Sequence, residues 1–169
     1  MTKVINLFAG PGAGKSTIAA GLFYEMKIRN IKCELVTEYA KDMTYEKRTN
    51  VLSDQLYILA KQNRKLSRLI GEVDYIITDS PLLIGLMYMP DNYFSTFSSL
   101  VHEIFESYNN INFFINRTKA YQTYGRNQTE EQAKEIDNNL LTCIDDWGYT
   151  IIQGEPRAPL IILEELGIK

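Results

Sequence analysis

Residues 9–17, AGPGAGKST, leave this chain few choices of fold. They follow a nearly all-apolar run, Val4–Ala9, which is typical of a strand buried on both faces. They precede a helical pattern over Lys15–Arg29. The glycines allow backbone N–H groups to converge on an anion without obstruction by Cβ atoms, and the start of the helix adds a favourable dipole. The sequence therefore predicts a strand, a phosphate-binding loop and a helix in direct succession.

The same stretch matches the P-loop pattern GxxxxGK[ST], except that Ala9 stands at the first position, which takes either small residue. The side chain of Lys15 is predicted to bridge the β- and γ-phosphates of ATP, and the Ser16 hydroxyl to ligate Mg²⁺. A glycine turn with a chance GKS is the alternative. The residues predicted to bind ATP in this loop are Gly10, Gly12, Ala13, Gly14, Lys15, Ser16 and Thr17.

Short apolar runs alternate with helical patterns along the rest of the chain. This alternation predicts an α/β fold of the P-loop NTPase or kinase type: a five-stranded, mostly parallel sheet with helices on both faces and a short lid. Residues 1–169 are expected to form a single domain, with ligands outside the carboxyl ends of the strands. The predicted strands are Val4–Ala9, Cys33–Val36, Asp74–Thr78, Asn112–Ile115 and Tyr149–Gln153.

The longest helix is predicted over Val51–Ile70, with Leu56 and four other leucines on its buried face. Gln55, Gln62 and Arg64 lie off this stripe or at its edge, so they are expected on the solvated surface or in contact with a phosphoryl acceptor. A further helix is expected to begin after Thr129, because Gln132 three positions later completes a capping box.

Two acids follow predicted strands, so a parallel sheet would bring both near the phosphate loop. Asp79 follows the third strand and suits an Mg²⁺ ligand, held directly or through water. An N-cap for the segment at Pro81 is the alternative. Glu38 follows the second strand and suits a general base for an attacking hydroxyl. A surface carboxylate paired with Lys41 is the alternative.

Two arginines flank a polar stretch after the fourth strand. Arg117 ends that strand, and Arg126 follows Gly125, which suits a hinge. Such a loop, over about residues 117–130, would neutralise charge that develops during phosphoryl transfer. An exposed basic loop is the alternative. Lys15, Glu38, Asp79 and Arg126 are therefore the predicted catalytic residues.

Composition sets limits on the partners. The formal net charge of −3 disfavours a broad surface that coats nucleic acid. One histidine and two widely separated cysteines do not make a zinc site of the Cys/His type, and reduced thiols in a cytoplasmic protein are expected. No apolar run approaches the ~18 residues of a membrane-spanning helix, so no membrane partner is expected. The oligomeric state is not predicted.

Four segments carry a resemblance to a known group: GPGAGKST, TEYA at 37–40, VDYIITDSPLL at 73–83 and GRNQTEEQA at 125–133. The chain resembles the small P-loop kinase-like ATPases of the AAA_28, or NadR-like, group, many of them encoded by tailed phages. The resemblance implies that Lys15 and Ser16 contact ATP–Mg²⁺ and that Glu38 lies near the acceptor. Asp79 would lie at the metal, Arg117 and Arg126 in the lid, and the loop Gly154–Arg157 beside the adenine.

The expected activity is an ATP- and Mg²⁺-dependent transfer of the γ-phosphoryl group to a small acceptor, most simply a nucleoside or nucleotide. One alternative is a kinase that acts on a modified base or a 5′ end of a nucleic acid, through the basic run Lys61, Arg64, Lys65 and Arg68. Another is a regulatory ATPase that acts as an NTP switch.

Overall fold

In the computed structural model, which describes residues 1–118, 120–123, 128–154 and 158–168, strands and helices alternate along the chain. The strands are β1 (Lys3–Phe8), β2 (Cys33–Val36), β3 (Tyr75–Thr78), β4 (Asn109–Ile115) and β5 (Ile152–Gly154). The helices are α1 (Lys15–Ile28), α2 (Tyr39–Tyr45), α3 (Thr49–Leu52), α4 (Gln55–Ser67), α5 (Phe97–Glu106), α6 (Glu130–Asp146) and α7 (Ala158–Glu165), with a 3₁₀ segment over Leu82–Tyr88.

Within the described residues, the strands form one sheet in the order β2-β3-β1-β4-β5, and every neighbouring pair is parallel. Strand β1 lies at the centre, between β3 and β4, and β5 is a short strand at one edge. The turn that follows β1 therefore leaves the middle of the sheet. The turns after β2 and β3 leave the same edge of the sheet, beside it.

Two apolar cores cover the two faces of the sheet. Alternate residues of β1 belong to different cores: Ile5 packs with α1 and α7, whereas Val4 packs with α4, α5 and α6. This is why the β1 run has few polar positions: a strand buried on both faces needs apolar side chains in both directions. The α/β P-loop kinase fold, with a parallel sheet between helices, is confirmed.

The single helix predicted over Val51–Ile70 is wrong. Helix α3 ends at Leu52 and α4 begins at Gln55, because the Asp54 carboxylate accepts the backbone N–H of Tyr57 and caps a new helix. The two helices present different faces from those of one continuous helix. Leu56, expected in the buried stripe, is 43% exposed, whereas Gln62, expected at the surface, is 3% exposed.

The capping box at Thr129 is confirmed, and α6 runs three residues beyond the predicted end at Cys143. The predicted last strand, Tyr149–Gln153, begins too early, since β5 begins at Ile152. The Tyr149 side chain instead contacts α5. Its hydroxyl donates to a Glu106 carboxylate oxygen at 2.7 Å and its ring stacks on His102.

Within the described residues, no helix has the length and apolar character needed to cross a membrane.

Candidate functional site

The phosphate loop lies between β1 and α1, and its backbone requires glycine. Gly12 has φ +79° and Gly14, the N-cap of α1, has φ +108°, both in the left-handed region that glycine adopts at least cost. The ring of Tyr121 covers Gly12 so closely that a Cβ atom there would lie 2.7 Å from the ring. Ser16 and Thr17 follow in the exposed first turn of α1. The loop therefore has the backbone form that the motif predicted.

Lys15, the first residue of α1, points back into this loop. Its Nζ donates to the Ala9 carbonyl oxygen at 2.6 Å and to the Gly10 carbonyl oxygen at 3.0 Å. Burial lowers the pKa of Lys15, while the charges of Glu38 and Asp79 raise it. The ammonium group thus lies in a partly desolvated setting where both predicted strand-end acids act on it.

Asp79 lies one residue beyond β3, at the level of the phosphate loop. It is 4% exposed, and its Oδ1 atom has no hydrogen-bond partner among the described residues. The 3₁₀ segment that follows begins after Pro81 without a side-chain cap, so the alternative role of Asp79 as a cap is not what the structure shows. A buried carboxylate oxygen without a partner carries a free-energy cost that a bound cation would offset.

Glu38 lies two residues beyond β2, and β2 ends level with β3 in the register Val36↔Thr78. Burial raises the pKa of Glu38, and the opposing charge that acts on it most strongly is that of Lys15. Lys41, the alternative partner, has a smaller effect. Glu38 therefore belongs to the group of charges around the phosphate loop rather than to a surface ion pair.

Gln62 of α4 holds the segment that carries Glu38. Its Oε1 accepts the backbone N–H of Tyr39 at 3.0 Å, and its Nε2 donates to the Thr37 carbonyl oxygen at 3.4 Å. Lys65, one turn further along, donates to the same carbonyl at 3.1 Å. Sequence reasoning missed this role, because a glutamine off a leucine stripe is ordinarily solvated. Its spacing of seven residues from Gln55, also buried, is the signal that marks a second buried face of α4.

Replacing Gln62 by leucine is expected to lower the free energy of unfolding by about 1–3 kcal/mol, the cost of leaving buried polar groups unpaired. The variant keeps the bulk of the side chain but cannot bond the backbone on either side of Glu38. Urea denaturation followed by circular dichroism measures the change. Lys61→Leu, at the exposed neighbouring position, is the matched control and should stay within about 0.5 kcal/mol. Equal stability of the two variants would contradict the role given to Gln62.

Arg117, predicted as a lid residue that binds the nucleotide, lies beside the phosphate loop, where the partners that the structure shows are protein groups. It donates to Asp137 of α6 and, through Nη1, to the Pro11 carbonyl oxygen at 2.8 Å. Asp137 was not identified from the sequence, where it is one of several acids on a polar helix. The predicted sites Arg126 and Arg157 lie outside the described residues.

A cavity of about 80 Å³ opens next to the loop on the side of β4. It is lined by Ala13, Gly14, Thr17, Ile18, Asn116, Thr118 and Pro159. The phosphate loop thus has two different sides. The segments that carry Glu38 and Asp79 lie on the β2 and β3 side, and this cavity, beside the start of α7, lies on the other.

The residues present fit a nucleotide with Mg²⁺. The described residues contain no group of three or more His, Cys, Asp or Glu side chains able to hold a metal. Mg²⁺ needs none, because it binds through one or two protein ligands, nucleotide phosphates and water. The partnerless Asp79 oxygen and the exposed Ser16 hydroxyl supply such ligands next to Lys15.

A parallel sheet with a glycine-rich loop and lysine after its central strand, and an acid after the neighbouring strand, defines a P-loop NTPase of the kinase-like class. Within that class, the AAA_28 family model, described as an AAA domain, matches residues 4–156. The chain belongs to the AAA_28 family.

Solved structures support the fold. A NadR protein in complex with NR is 18% identical, with a TM-score of 0.76 over 99% of this chain and 52% of that one. This chain therefore spans about half the length of the NadR structure. Thymidylate kinase from Ehrlichia chaffeensis is 13% identical, with a TM-score of 0.62 over 98% of this chain and 100% of that one.

Deoxyadenosine kinase from M. mycoides, with products bound, is 17% identical, with a TM-score of 0.56 over 97% of this chain and 98% of that one. A search of curated protein sequences gives no significant match. At these identities the structural similarity concerns the fold alone.

Proposed function

We propose that this protein is an Mg²⁺-dependent phosphotransferase that moves the γ-phosphoryl group of ATP to a small acceptor, a nucleoside or a nucleotide. The observation that carries the proposal is the presence of a second carboxylate, Glu38, beside the phosphate loop in addition to Asp79. One acid suffices to hold the metal in an NTP switch. A second acid with a raised pKa suits proton transfer from an acceptor hydroxyl.

The chain's residues divide the work as follows. The acceptor oxygen bonds to the γ-phosphorus, the bond from that phosphorus to the β–γ bridging oxygen breaks, and ADP leaves. Glu38 takes the hydroxyl proton, and Lys15 offsets the negative charge on the phosphates. Asp79 and Ser16 would hold Mg²⁺, which neutralises phosphate charge when bound. Arg126 as a lid cation and Arg157 beside the adenine stay expectations, since both lie outside the described residues.

An aromatic acceptor fits the surroundings of Glu38. Burial, and then the charge of Glu38, raise the pKa of Tyr88 above its usual range, so the two side chains interact electrostatically. A tyrosine that interacts with the proposed base suits contact with a nucleobase or a similar ring. The related folds bind such molecules: NR in a NadR structure and dATP in a deoxyadenosine kinase structure.

A second candidate, a kinase for nucleic-acid ends, is favoured by one observation on the surface next to Glu38. The half-exposed rings of Tyr39 and Tyr57 meet edge to face. The ammonium group of Lys61 lies 5.2 Å from the centre of the Tyr57 ring, and that of Lys65 lies 5.7 Å from the centre of the Tyr39 ring. Aromatic rings with cations are typical of sites for single-stranded nucleic acid. Lys65 is also bonded to the Thr37 carbonyl oxygen, which reduces the charge free for phosphates.

The test measures ADP release from Mg–ATP alone and with a panel of nucleosides, nucleoside monophosphates and a 5′-hydroxyl oligonucleotide. A nucleoside or nucleotide is expected to accelerate ADP release and to appear phosphorylated by mass spectrometry. Acceleration by the oligonucleotide alone would favour the second candidate. ADP release that no acceptor changes would overturn both and favour a switch.

A further inference from the structure

Helix α6 meets the start of the phosphate loop at very short range. The backbone N–H of Gly10 donates to Oδ1 of Asp137. A Cβ atom at Gly10 would lie 2.5 Å from the carbonyl oxygen of Ala133, one turn earlier on α6. A neighbour made of backbone cannot move aside easily, so only glycine permits this approach. The loop and α6 are therefore in direct backbone contact, with Asp137 at its centre.

The other oxygen of the same carboxylate holds Arg117. Nε and Nη2 of Arg117 donate to Oδ2 of Asp137 at 2.9 and 2.7 Å, and Nη1 donates to the Pro11 carbonyl oxygen at 2.8 Å. The side chains of Arg117 and Asp137 are 10% and 13% exposed. Removing one partner of a buried ion pair strongly destabilises a protein, because the other charge is left buried and unpaired.

The two oxygens of Asp137 thus have separate tasks. Oδ1 accepts the backbone N–H of Gly10 in the loop. Oδ2 accepts two hydrogen bonds from Arg117, whose Nη1 in turn donates to the Pro11 carbonyl oxygen of the loop. The ring of Tyr121, which covers Gly12, lies 5.9 Å from the guanidinium carbon. Asp137 also adds negative charge near Lys15.

We propose that Asp137 is a positioning residue: it holds the phosphate loop and Arg117 as one unit, so that nucleotide affinity depends on the pair and not on either residue alone. The inference rests on the proposed function, since it requires the loop to bind a nucleotide. It differs from a purely structural role, which would change stability but not the affinity of the folded protein for a nucleotide.

The test is a double-mutant cycle that measures the affinity for Mg–AMP-PNP, a non-hydrolysable ATP analogue, by calorimetry well below the melting temperature. Asp137→Ala and Arg117→Ala are each expected to weaken binding by about tenfold, which equals ~1.4 kcal/mol. The double variant should bind no more than about threefold less tightly than the single variant with the lower affinity, because either substitution alone already disrupts the shared unit. Losses that multiply in the double variant, or an Asp137→Ala protein that binds like wild type, would overturn the inference.

Two further variants distinguish a loss of the Asp137 contacts from a general loss of folding. Asp137→Asn keeps an oxygen for the Gly10 N–H but not the charge for Arg117, so it should recover part of the lost affinity. Lys134→Ala breaks an exposed ion pair with Glu130 on the same helix and should leave affinity unchanged. A wild-type protein that does not bind Mg–AMP-PNP would instead overturn the proposed function itself.

Discussion

Replacing Lys15 by alanine is expected to reduce phosphoryl transfer by ~10²–10³-fold, the range found when one preorganised charge donor is removed from a catalytic site. The Lys15 ammonium group donates to the carbonyl oxygens of Ala9 and Gly10 in the phosphate loop. We expect this charge to act on the phosphates of the nucleotide, where charge changes during transfer. Steady-state ADP release with the best acceptor measures the effect.

The fold should survive this change. Lys15 occupies the first position of α1, where alanine is the best helix former, and burial disfavours its charged form, so its loss removes a cost as well as two hydrogen bonds. The melting temperature should stay within about 4 °C of wild type, the shift that roughly 1 kcal/mol produces in a chain of this size. Lys15→Met, which keeps most of the length, is the control. Unfolding of both variants would show that Lys15 is structural.

Replacing Glu38 by glutamine should change activity and stability in opposite directions. Transfer to the best acceptor should fall by ~10²–10⁴-fold, the range for loss of a general base, and toward the lower end because phosphoryl transfer demands little of its base. Affinity for Mg–ATP should hardly change, since the variant leaves residues 10–17 intact. Unchanged transfer at saturating acceptor would exclude Glu38 as the base and leave Asp79 as the next candidate.

The stability of the Glu38→Gln variant follows from the raised pKa of Glu38. A carboxyl group with a raised pKa in the folded state stabilises that state below its unfolded pKa, and this contribution is lost as the pH rises through the folded pKa. Glutamine has no charge to bury. The variant should therefore have a higher free energy of unfolding in urea than wild type at pH 7, by about 1.4 kcal/mol for each tenfold difference in proton affinity between the folded and unfolded states. The difference should vanish near pH 4. A variant less stable than wild type at pH 7 would contradict the burial of this charge.

The order of strand, phosphate loop and helix was predictable because three local signals agree: an apolar run, glycines at fixed spacing, and a lysine at the start of a helical pattern. Asp79 and Glu38 were predictable for a related reason. Parallel strands end at one edge of a sheet, so acids that follow two apolar runs come together whatever the loops between them do.

Other features depend on contacts between distant parts of the chain. The break between α3 and α4 depends on Asp54, which caps the start of α4 although the leucine spacing favours one continuous helix. The role of Gln62 depends on its bonds to the backbone of residues 37 and 39, 25 and 23 positions away. Asp137 contacts Gly10 across 127 positions. Nothing in the residues near Asp137 distinguishes it from the other acids on α6.

The strand order divides the molecule into halves with separate duties. The two residues proposed to meet the acceptor, Glu38 and Tyr88, come from chain segments on the β2 and β3 side of the central strand. The cavity beside the loop is lined by the loop and the start of α1, at residues 13–18, together with Asn116 and Thr118 after β4 and Pro159 of α7. We therefore expect acceptor preference to change when residues on the β2 and β3 side are exchanged with Asp79 retained, while the residues proposed to bind the nucleotide stay the same.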